Sequence, residues 1–162
     1  MLRLRRRQRL RRKEAQAIVE QLKGSLGIEI AGAEEPIDTA EADGWHVILV
    51  KDTSIGFIFN DRPFLTVRGL LALRPERLFV TVDMGAVRFV YNGADIMAPG
   101  VVDADRAIRV GDLVWVRDEK NKQPLAVGEA LLTGEEMIAA ESGKAVKSVH
   151  HVGDNLWKID EE

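Results

Sequence analysis

Short runs of branched and aromatic residues alternate with turn signals in the second half of the chain, and this pattern limits the fold most. The runs read LFVTV, DLVWVRD, LAVGEALL, VKSVHHV and NLWKI, with turn signals at residues 121–124 and 153–155. Strands this short and closely spaced are typical of a small barrel-like sheet. Two short helices, at residues 84–92 and at about 134–141, are predicted to interrupt the sheet.

The first half combines helical and strand patterns, so the predicted fold class is α+β. A helix is predicted over residues 13–24, because Ile18 and Leu22 continue an i+4 row of apolar residues. Either Gly24 or Gly27 can end this helix. The basic residues before it are interpreted as an arm that extends the helix toward the N-terminus.

Downstream of this helix, residues 31–44 are acidic, small and broken by proline, which predicts a loop with at most one edge strand. The runs WHVILVK and SIGFIFN predict an antiparallel hairpin. The leucine-rich run FLTVRGLLAL, residues 64–73, predicts a helix that stops before the following proline. These patterns divide the chain into a small α/β domain over residues 1–77 and the barrel over residues 78–160.

Several function classes are excluded or disfavoured by composition. The chain has no cysteine, which excludes disulfides, thiolate metal sites and thiol nucleophiles. Its apolar runs are far shorter than the roughly 20 residues of a membrane helix, and no export signal follows the basic N-terminus. We find no phosphate-binding loop, no histidine pair at metal-site spacing and no nucleophile beside a base. We therefore expect a cytoplasmic, non-catalytic protein without cofactor, metal or membrane contact.

The charge of the chain is strongly asymmetric. The first 13 residues hold eight of the 23 basic residues, and all 26 acidic residues follow them. Clustered arginines release counterions from phosphates, so the arm predicts a polyanionic partner. The alternative is a solvated, frayed helix start that adds only solubility. The arm residues that we assign to electrostatic contact are Arg5, Arg6, Arg7, Arg9, Arg11 and Arg12.

A glycine-bracketed segment, VTVDMGAVRFVYNGADIMAPGVV, carries the most specific information. Asp83 can cap a helix that begins at the next residue, and Gly93 can end that helix. These two roles leave the glycine at 100 and the strand glycine at 128 unexplained. A glycine inside a strand often marks a bulge or the close approach of another backbone.

The same segment, extended to VDMGAVRFVYNGADIMAPGVVDADRAIRVGDLVWVRDE and followed by LAVGEALLTGEEM, resembles the PUA domain, named for pseudouridine synthases and archaeosine transglycosylases. The likeness covers about residues 79–158 and joins four elements in order: Asp-x-Gly-Ala, Gly-Ala-x-x-x-Ala-Pro-Gly, Gly-Asp-x-Val and Ala-Val-Gly-x-Ala. The upstream region and the closing GDNLWKID resemble the malignant T-cell-amplified-sequence family and its archaeal relatives. That resemblance implies a pre-PUA domain over residues 1–77 and a PUA pseudo-barrel over residues 78–160.

The resemblance implies that the pseudo-barrel binds structured RNA, either tRNA or ribosomal RNA. Small residues let an RNA backbone approach, while exposed N–H groups meet phosphates. Arg88 is the expected phosphate contact and Tyr91 a stacking ring, although Arg88 could instead form a salt bridge and Tyr91 could fill a gap. The remaining residues of the expected face are Gly85, Ala86, Gly93, Ala94, Met97, Ala98, Pro99, Gly100, Gly128 and Glu129.

Two of these residues, Gly93 and Gly100, could instead be required only by the fold, without any contact to RNA. Residues 79–162 carry a net charge of −6, whereas RNA-binding domains are commonly basic, so the arm is expected to supply the missing positive charge.

The function that the resemblance implies is a non-catalytic RNA-binding protein of translation, with the small ribosomal subunit as a further expected partner. An alternative is an adaptor whose pre-PUA domain binds a protein partner through the surface around SIGFIFN and Trp45. A third, weaker alternative is an RNA-modification protein. It is weaker because the residues before the PUA-like segment contain no recognisable catalytic motif.

Overall fold

The computed structural model describes residues 3–159, which form two compact units. The first unit contains the described residues up to Glu76 together with those from Asn155 onward, and the second unit is Arg77–Asp154. The fold is α+β, as predicted. The domain limits of residues 1–77 and 78–160 stay a prediction about independent folding, and the segment from Asn155 groups with the first unit.

The first unit is built on an antiparallel sheet whose five strands follow sequence order. Helix α1, Arg12–Leu26, buries Leu22 and Leu26, and it ends at Gly27, whose φ is +71°. Helix α2 is Val67–Leu73. The strands are β1 (Arg5–Arg9), β2 (Ile37–Ala42), β3 (Trp45–Val50), β4 (Thr53–Phe59) and β5 (Arg62–Leu65).

Three two-residue turns connect β2 to β3, β3 to β4 and β4 to β5. Both central residues of each turn have positive φ: 48° and 80° in the first turn, 53° and 65° in the second, and 50° and 63° in the third. This is the type I′ geometry, whose twist matches that of the flanking strands. The turn residues are Asp43 and Gly44, Lys51 and Asp52, and Asn60 and Asp61. The predicted β3–β4 hairpin is confirmed.

Four sequence-based predictions are wrong for identifiable reasons. The arginine arm is not a helix extension, because Arg5–Arg9 forms strand β1 and pairs with β2. The segment predicted as a loop contains Ile37–Ala42, which lies between two strands and is not an edge. The predicted helix 64–73 begins only at residue 67, because Arg62–Leu65 continues the hairpin into β5.

The fourth wrong prediction is the strand NLWKI, which is helix α5, Asn155–Lys158. The apolar residues of this segment fit either a strand or a helix. Contacts with α2 of the same unit favour the helix. The Nε of Arg68 in α2 donates to the carbonyl oxygen of Trp157 at 3.1 Å. The same guanidinium lies 3.7 Å from the centroid of the Trp157 ring, which adds a cation–π contact.

The second unit is a six-stranded sheet that nearly closes into a pseudo-barrel. Its strand order is β7-β11-β10-β9-β6-β8, and the β6–β9 pair is parallel. The two end strands, β7 and β8, are joined directly by one 3₁₀ turn, Ala98–Gly100. The strands are β6 (Phe79–Val82), β7 (Ile96–Met97), β8 (Val101–Ala104), β9 (Leu113–Asp118), β10 (Pro124–Ala130) and β11 (Lys144–His151).

Two short helical segments interrupt the barrel, as predicted. The first is a 3₁₀ turn, Met84–Ala86, that continues into helix α3, Val87–Tyr91. The second is helix α4, Gly134–Ala139, which Thr133 caps. The core consists mainly of inward-facing side chains of the strands, with Val90 from α3, Ile108 from a loop and Met137 from α4. Burying them is the main stabilising contribution. The strand residues of the core include Val80, Val82, Ile96, Val114, Val116, Leu125 and Val146.

Candidate nucleic-acid interface

Asp83 anchors both ends of the glycine-bracketed segment. Its carboxylate accepts a hydrogen bond from the Ala86 N–H at 2.9 Å, which caps the 3₁₀ turn as predicted. Its own N–H donates to the carbonyl oxygen of Gly100 at 2.9 Å. The start and the end of the segment are therefore fixed beside each other.

The middle of the segment is ordered by a helix end and a short strand pair. Gly93 ends α3 with φ +83°, and its N–H donates to the Val90 carbonyl at 3.0 Å. Strand β7 then pairs with β11, with Met97 opposite Lys144. The Ala98 N–H donates to Gly143 of the loop before β11 at 2.8 Å. Backbone hydrogen bonds thus hold the whole segment against the barrel.

We call residues 83–100 the junction surface, because this helix-to-strand segment exposes an unusual amount of apolar area. Four large apolar side chains are between 43% and 51% exposed: Met84, Phe89, Tyr91 and Met97. Small residues lie between them, of which Gly85, Ala94 and Pro99 are exposed. Exposed apolar area that is contiguous in sequence and next to small residues is typical of a binding surface.

The glycines of the site separate into two classes. A Cβ at Gly93 would lie 2.9 Å from the His151 ring, and its positive φ already favours glycine. A Cβ at Gly128 would lie 2.4 Å from the Lys147 carbonyl oxygen, at a bulge between β10 and β11. The fold therefore explains both of these glycines without any ligand.

The other two glycines have no positive φ and meet no backbone atom closely. At Gly100 φ lies outside the left-handed region, and an added Cβ would make an ordinary contact of 3.4 Å with the Ala86 Cβ. At Gly85 the nearest atom to an added Cβ is the Asp83 carboxylate at 3.3 Å, again without positive φ. These positions leave room for the close approach of a partner.

Positive charge near the junction surface comes from three side chains. Arg88 is exposed and lies 4.8 Å from the centroid of the Phe89 ring. Lys144 on β11 forms an ion pair with Asp95 at 3.0 Å. Lys147 is exposed on β11, and its strand partner on β10 is Glu129.

The Asp95 carboxylate is held from two sides. It accepts the Ser148 N–H at 2.9 Å, and this bond, followed by the one from Lys144, holds its pKa below the ordinary value. Asp95 therefore stays ionised and partly compensates the charge of Lys144. A phosphate that approaches Lys144 has to compete with this carboxylate.

Most of the residues expected on the interface lie on the junction surface, and two offer no surface of their own. Gly85, Arg88, Tyr91, Ala94, Met97 and Pro99 are exposed, and Ala86, Gly93 and Gly100 are half-buried. Ala98 is 2% exposed and Gly128 is buried. The expectation that these two residues form part of an exposed face is therefore wrong. Glu129 is half-buried beside Lys147.

Sequence reasoning missed four residues of this surface. Met84 and Phe89 were assigned no role in the sequence analysis, and their exposure depends on how the helical segment packs on the barrel. Lys144 and Lys147 lie about 50 residues downstream, and only the pairing of β11 brings them near β7. Lys144 and Lys147 are three residues apart, so the period of two in a strand does not place them on one face, and the sequence offered no local signal for this pair.

The arginine arm is paired with acidic side chains and is not simply solvated. Arg7 and Arg9 of β1 both contact Asp38 on β2, at 2.8 and 2.5 Å. Arg7 also contacts Asp52, and further pairs join Arg6 to Glu41 and Arg12 to Glu34. Arg11 caps α1, and its N–H donates to Glu14. All five residues of β1 remain exposed, so the strand still presents its guanidinium groups to solvent.

Two kinds of site are not found within residues 3–159. No group of three or more His, Asp or Glu side chains is arranged to hold a metal ion. No helix in this range is both long enough and apolar enough to cross a bilayer. His150 is fully buried, and its Nδ1 lies 2.9 Å from the Asp154 carboxylate, which is a structural contact.

Comparison with known proteins identifies the family. The family model of the PUA domain matches residues 79–152. An uncharacterised protein of Methanocaldococcus jannaschii is 44% identical over 131 residues, which cover 81% of each chain. The crystal structure of a hypothetical protein from Pyrococcus horikoshii superposes with a TM-score of 0.86 at 37% identity, covering 94% of this chain and 98% of that one.

A third relative is the Saccharomyces cerevisiae translation machinery-associated protein 20, which is 35% identical over 89 residues. The match covers 51% of this chain, and the chain spans about half of that relative, 49% of its length. Together these matches confirm the resemblance expected from the sequence. The chain therefore belongs to the PUA-domain proteins and is related to the translation machinery-associated protein 20 and malignant T-cell-amplified sequence proteins.

Proposed function

We propose that this protein binds structured RNA, either tRNA or ribosomal RNA, through the junction surface and acts in translation without catalysing a reaction. The observation that carries the proposal is Gly100, a glycine that neither backbone conformation nor packing requires. It lies beside exposed aromatic rings in a PUA domain. The translation-associated name of the yeast relative supports the biological setting, and the small ribosomal subunit is the proposed place of action.

The chemistry of the junction surface fits a nucleotide chain. At Gly85 and Gly100 the absence of side chains lets a sugar–phosphate backbone lie close to the protein backbone. Arg88 provides a guanidinium for a phosphate, and the exposed rings of Phe89 and Tyr91 provide stacking faces for unpaired bases. Because few side chains can read base edges here, the proposed recognition depends on RNA shape more than on sequence.

The proposal assigns a separate role to the arginine strand. Residues 79–162 are acidic overall, so long-range attraction to RNA has to come from elsewhere in the chain. The exposed arginines of β1 are the largest concentration of positive charge in the sequence. We assign Arg5, Arg6, Arg7 and Arg9 to this electrostatic role, while Arg11 and Arg12 lie at the start of α1.

A matched pair of glycine variants tests the proposal. Gly100→Leu fills the space where the RNA backbone is proposed to lie, whereas Gly32→Leu adds the same bulk at an exposed loop with no neighbouring atom within 4 Å. We expect Gly100→Leu to weaken binding of unfractionated tRNA and small-subunit ribosomal RNA strongly, and Gly32→Leu to leave it unchanged. Fluorescence anisotropy at graded salt measures both affinities, with a scrambled single strand as the reference RNA.

Two results would contradict the proposal. One is a wild-type affinity for tRNA and ribosomal RNA no higher than for the scrambled strand. The other is equal binding by the two leucine variants. The adaptor alternative has less support, because Phe57 in SIGFIFN is fully buried against Trp45. Among residues 3–159, every large apolar side chain that is strongly exposed belongs to the second unit.

A further inference from the structure

Arg7 is held by two carboxylates of very different exposure. Its Nε donates to Asp38 on β2 at 2.8 Å, and its outer amino group, Nη2, donates to Asp52 at 2.5 Å. The Asp38 side chain is 11% exposed, whereas the Asp52 side chain is 83% exposed. One contact is thus a partly buried anchor and the other lies in solvent.

The inner contact is the stronger one. Asp38 also accepts a hydrogen bond from the Nε of Arg9, so both of its oxygens are bound by guanidinium groups. These bonds, first from Arg9 and then from Arg7, hold the pKa of Asp38 below its ordinary value despite partial burial. Asp38 therefore fixes the position of the Arg7 side chain along the sheet.

The outer contact is easily exchanged. Ion pairs between exposed side chains contribute little to stability, because both groups are well solvated. Asp52 lies in the type I′ turn between β3 and β4 and is reached by Arg7 across the face of the sheet. A phosphate oxygen offers a guanidinium the same kind of charged acceptor as a carboxylate, often in the same bidentate geometry.

We propose that Asp52 is a built-in competitor that occupies the outer amino group of Arg7 until an RNA phosphate displaces it. Asp38 keeps the guanidinium in place during the exchange, so the side chain passes from one anion to another without reordering. The carboxylate of Asp52 thereby lowers the affinity of β1 for RNA. The contact forms only with a polyanion that binds Arg7 more tightly than Asp52 does. This inference rests on the proposed RNA binding.

The chain contains a matched control for Asp52. Asp61 is an exposed aspartate at the second central position of the next hairpin turn, with φ 63° against 65° for Asp52. Asparagine is well tolerated at such positions, so both Asp52→Asn and Asp61→Asn are expected to fold. Each variant removes one negative charge from the first unit, but only Asp52→Asn releases Arg7.

The test measures binding of unfractionated tRNA to the full-length chain at graded salt. We expect Asp52→Asn to bind about threefold more tightly than wild type at low salt, and Asp61→Asn to change the affinity much less. Releasing one arginine should also steepen the plot of log affinity against log salt by about 0.7–0.9. In an Arg7→Gln background the gain from Asp52→Asn should disappear.

Each contrary result has a distinct meaning. Equal affinities for Asp52→Asn and Asp61→Asn would overturn the competitor role while leaving the proposed RNA binding intact. A gain that persists in the Arg7→Gln background would overturn it as well, because the effect would then not act through Arg7. A wild-type chain that does not bind tRNA at any salt concentration would overturn both this inference and the proposed function.

Discussion

Strand β1 and the junction surface have opposite designs. β1 carries four arginines in five residues, all exposed, and its own sheet supplies carboxylates to three of them. The junction surface has a single arginine, several residues without bulk, and four large exposed apolar side chains. Under the proposed function, the first region acts over distance through charge, and the second acts only on contact through shape.

This difference separates two parts of RNA binding that are often described together. Attraction by arginines is sequence-independent and falls steeply with salt, because it depends on released counterions. Stacking and close backbone contact depend much less on salt and require a matching shape. Under the proposed function the two parts lie in different units of this chain, so each can be tested without changing the other.

The largest expected effect concerns which glycines belong to the fold. Gly128→Ala places a Cβ 2.4 Å from a carbonyl oxygen of β11. We expect it to lower the free energy of unfolding by about 3 kcal/mol, as for other overpacked sites. Gly100→Ala should leave this free energy unchanged or raise it by about 0.5 kcal/mol, because the unfolded chain loses freedom. Urea denaturation followed by circular dichroism measures both, and equal losses would show that Gly100 is structural.

The next effect tests whether the exposed aromatic ring of Phe89 contacts RNA. Stacking of a base on a side chain contributes about 1–3 kcal/mol, so Phe89→Ala should reduce tRNA affinity about tenfold. The ring is 51% exposed, and its loss should barely change stability. Ile138→Ala, at an exposed apolar residue of α4, serves as the control. If the two variants bind tRNA equally well in anisotropy titrations, base stacking on Phe89 does not contribute to binding.

A smaller effect is expected for single charges of β1. Arg6→Gln removes a side chain that is 81% exposed, and it should reduce the slope of log affinity against log salt by about 0.7–0.9. Lys23→Gln removes a cation from α1 that is likewise ion-paired, and should leave the slope unchanged. Substitution is preferable to deletion, because β1 is part of the sheet. If both variants change the slope equally, the salt dependence reflects only the net charge of the chain and not the position of the arginines on β1.

The smallest effect is a difference between two carboxylates. The pKa of Asp38 is lowered first by the Arg9 side chain, whereas that of Asp95 is lowered first by the Ser148 backbone N–H. Arg9→Gln should therefore return the pKa of Asp38 toward 3.8, and Lys144→Gln should leave most of the shift at Asp95. Carboxyl carbon chemical shifts followed by NMR against pH measure both values.

The same shifts determine the acid stability of the protein. Both carboxyl groups have a lower pKa in the folded chain than in the unfolded chain. Their stabilisation is therefore complete above about pH 4 and is lost as the pH falls through the folded values. Stability that did not decrease below pH 4 would contradict the assigned ion pairs and hydrogen bonds.

The barrel was more predictable from sequence than the first sheet, for physical reasons. The runs that became β6, β9, β10 and β11 are short and rich in branched residues, and turn signals separate them. β1 has no apolar residue among its five, so no periodicity could show it to be a strand. Its pairing depends on Asp38, about 30 residues away. Ion pairs between residues that are distant in sequence cannot be predicted from local sequence patterns.

The site was predicted in part for similar reasons. Motif spacing correctly predicted the cap at Asp83 and the helix end at Gly93, because capping and helix termination are local. Burial is not local, so Gly128 and Ala98 were placed on the surface and Phe89 was not recognised as exposed. The two classes of glycine could be told apart only after the neighbouring backbone was known.

The direct link between β7 and β8 has a consequence for the solubility of the protein. An open sheet normally ends in strands whose free amide and carbonyl groups can recruit another chain. Here the two outermost strands have two and four residues and are joined by a single turn. The folded second unit therefore presents little template for strand exchange or fibril growth, so a high protein concentration should not drive it to self-associate through its strand edges.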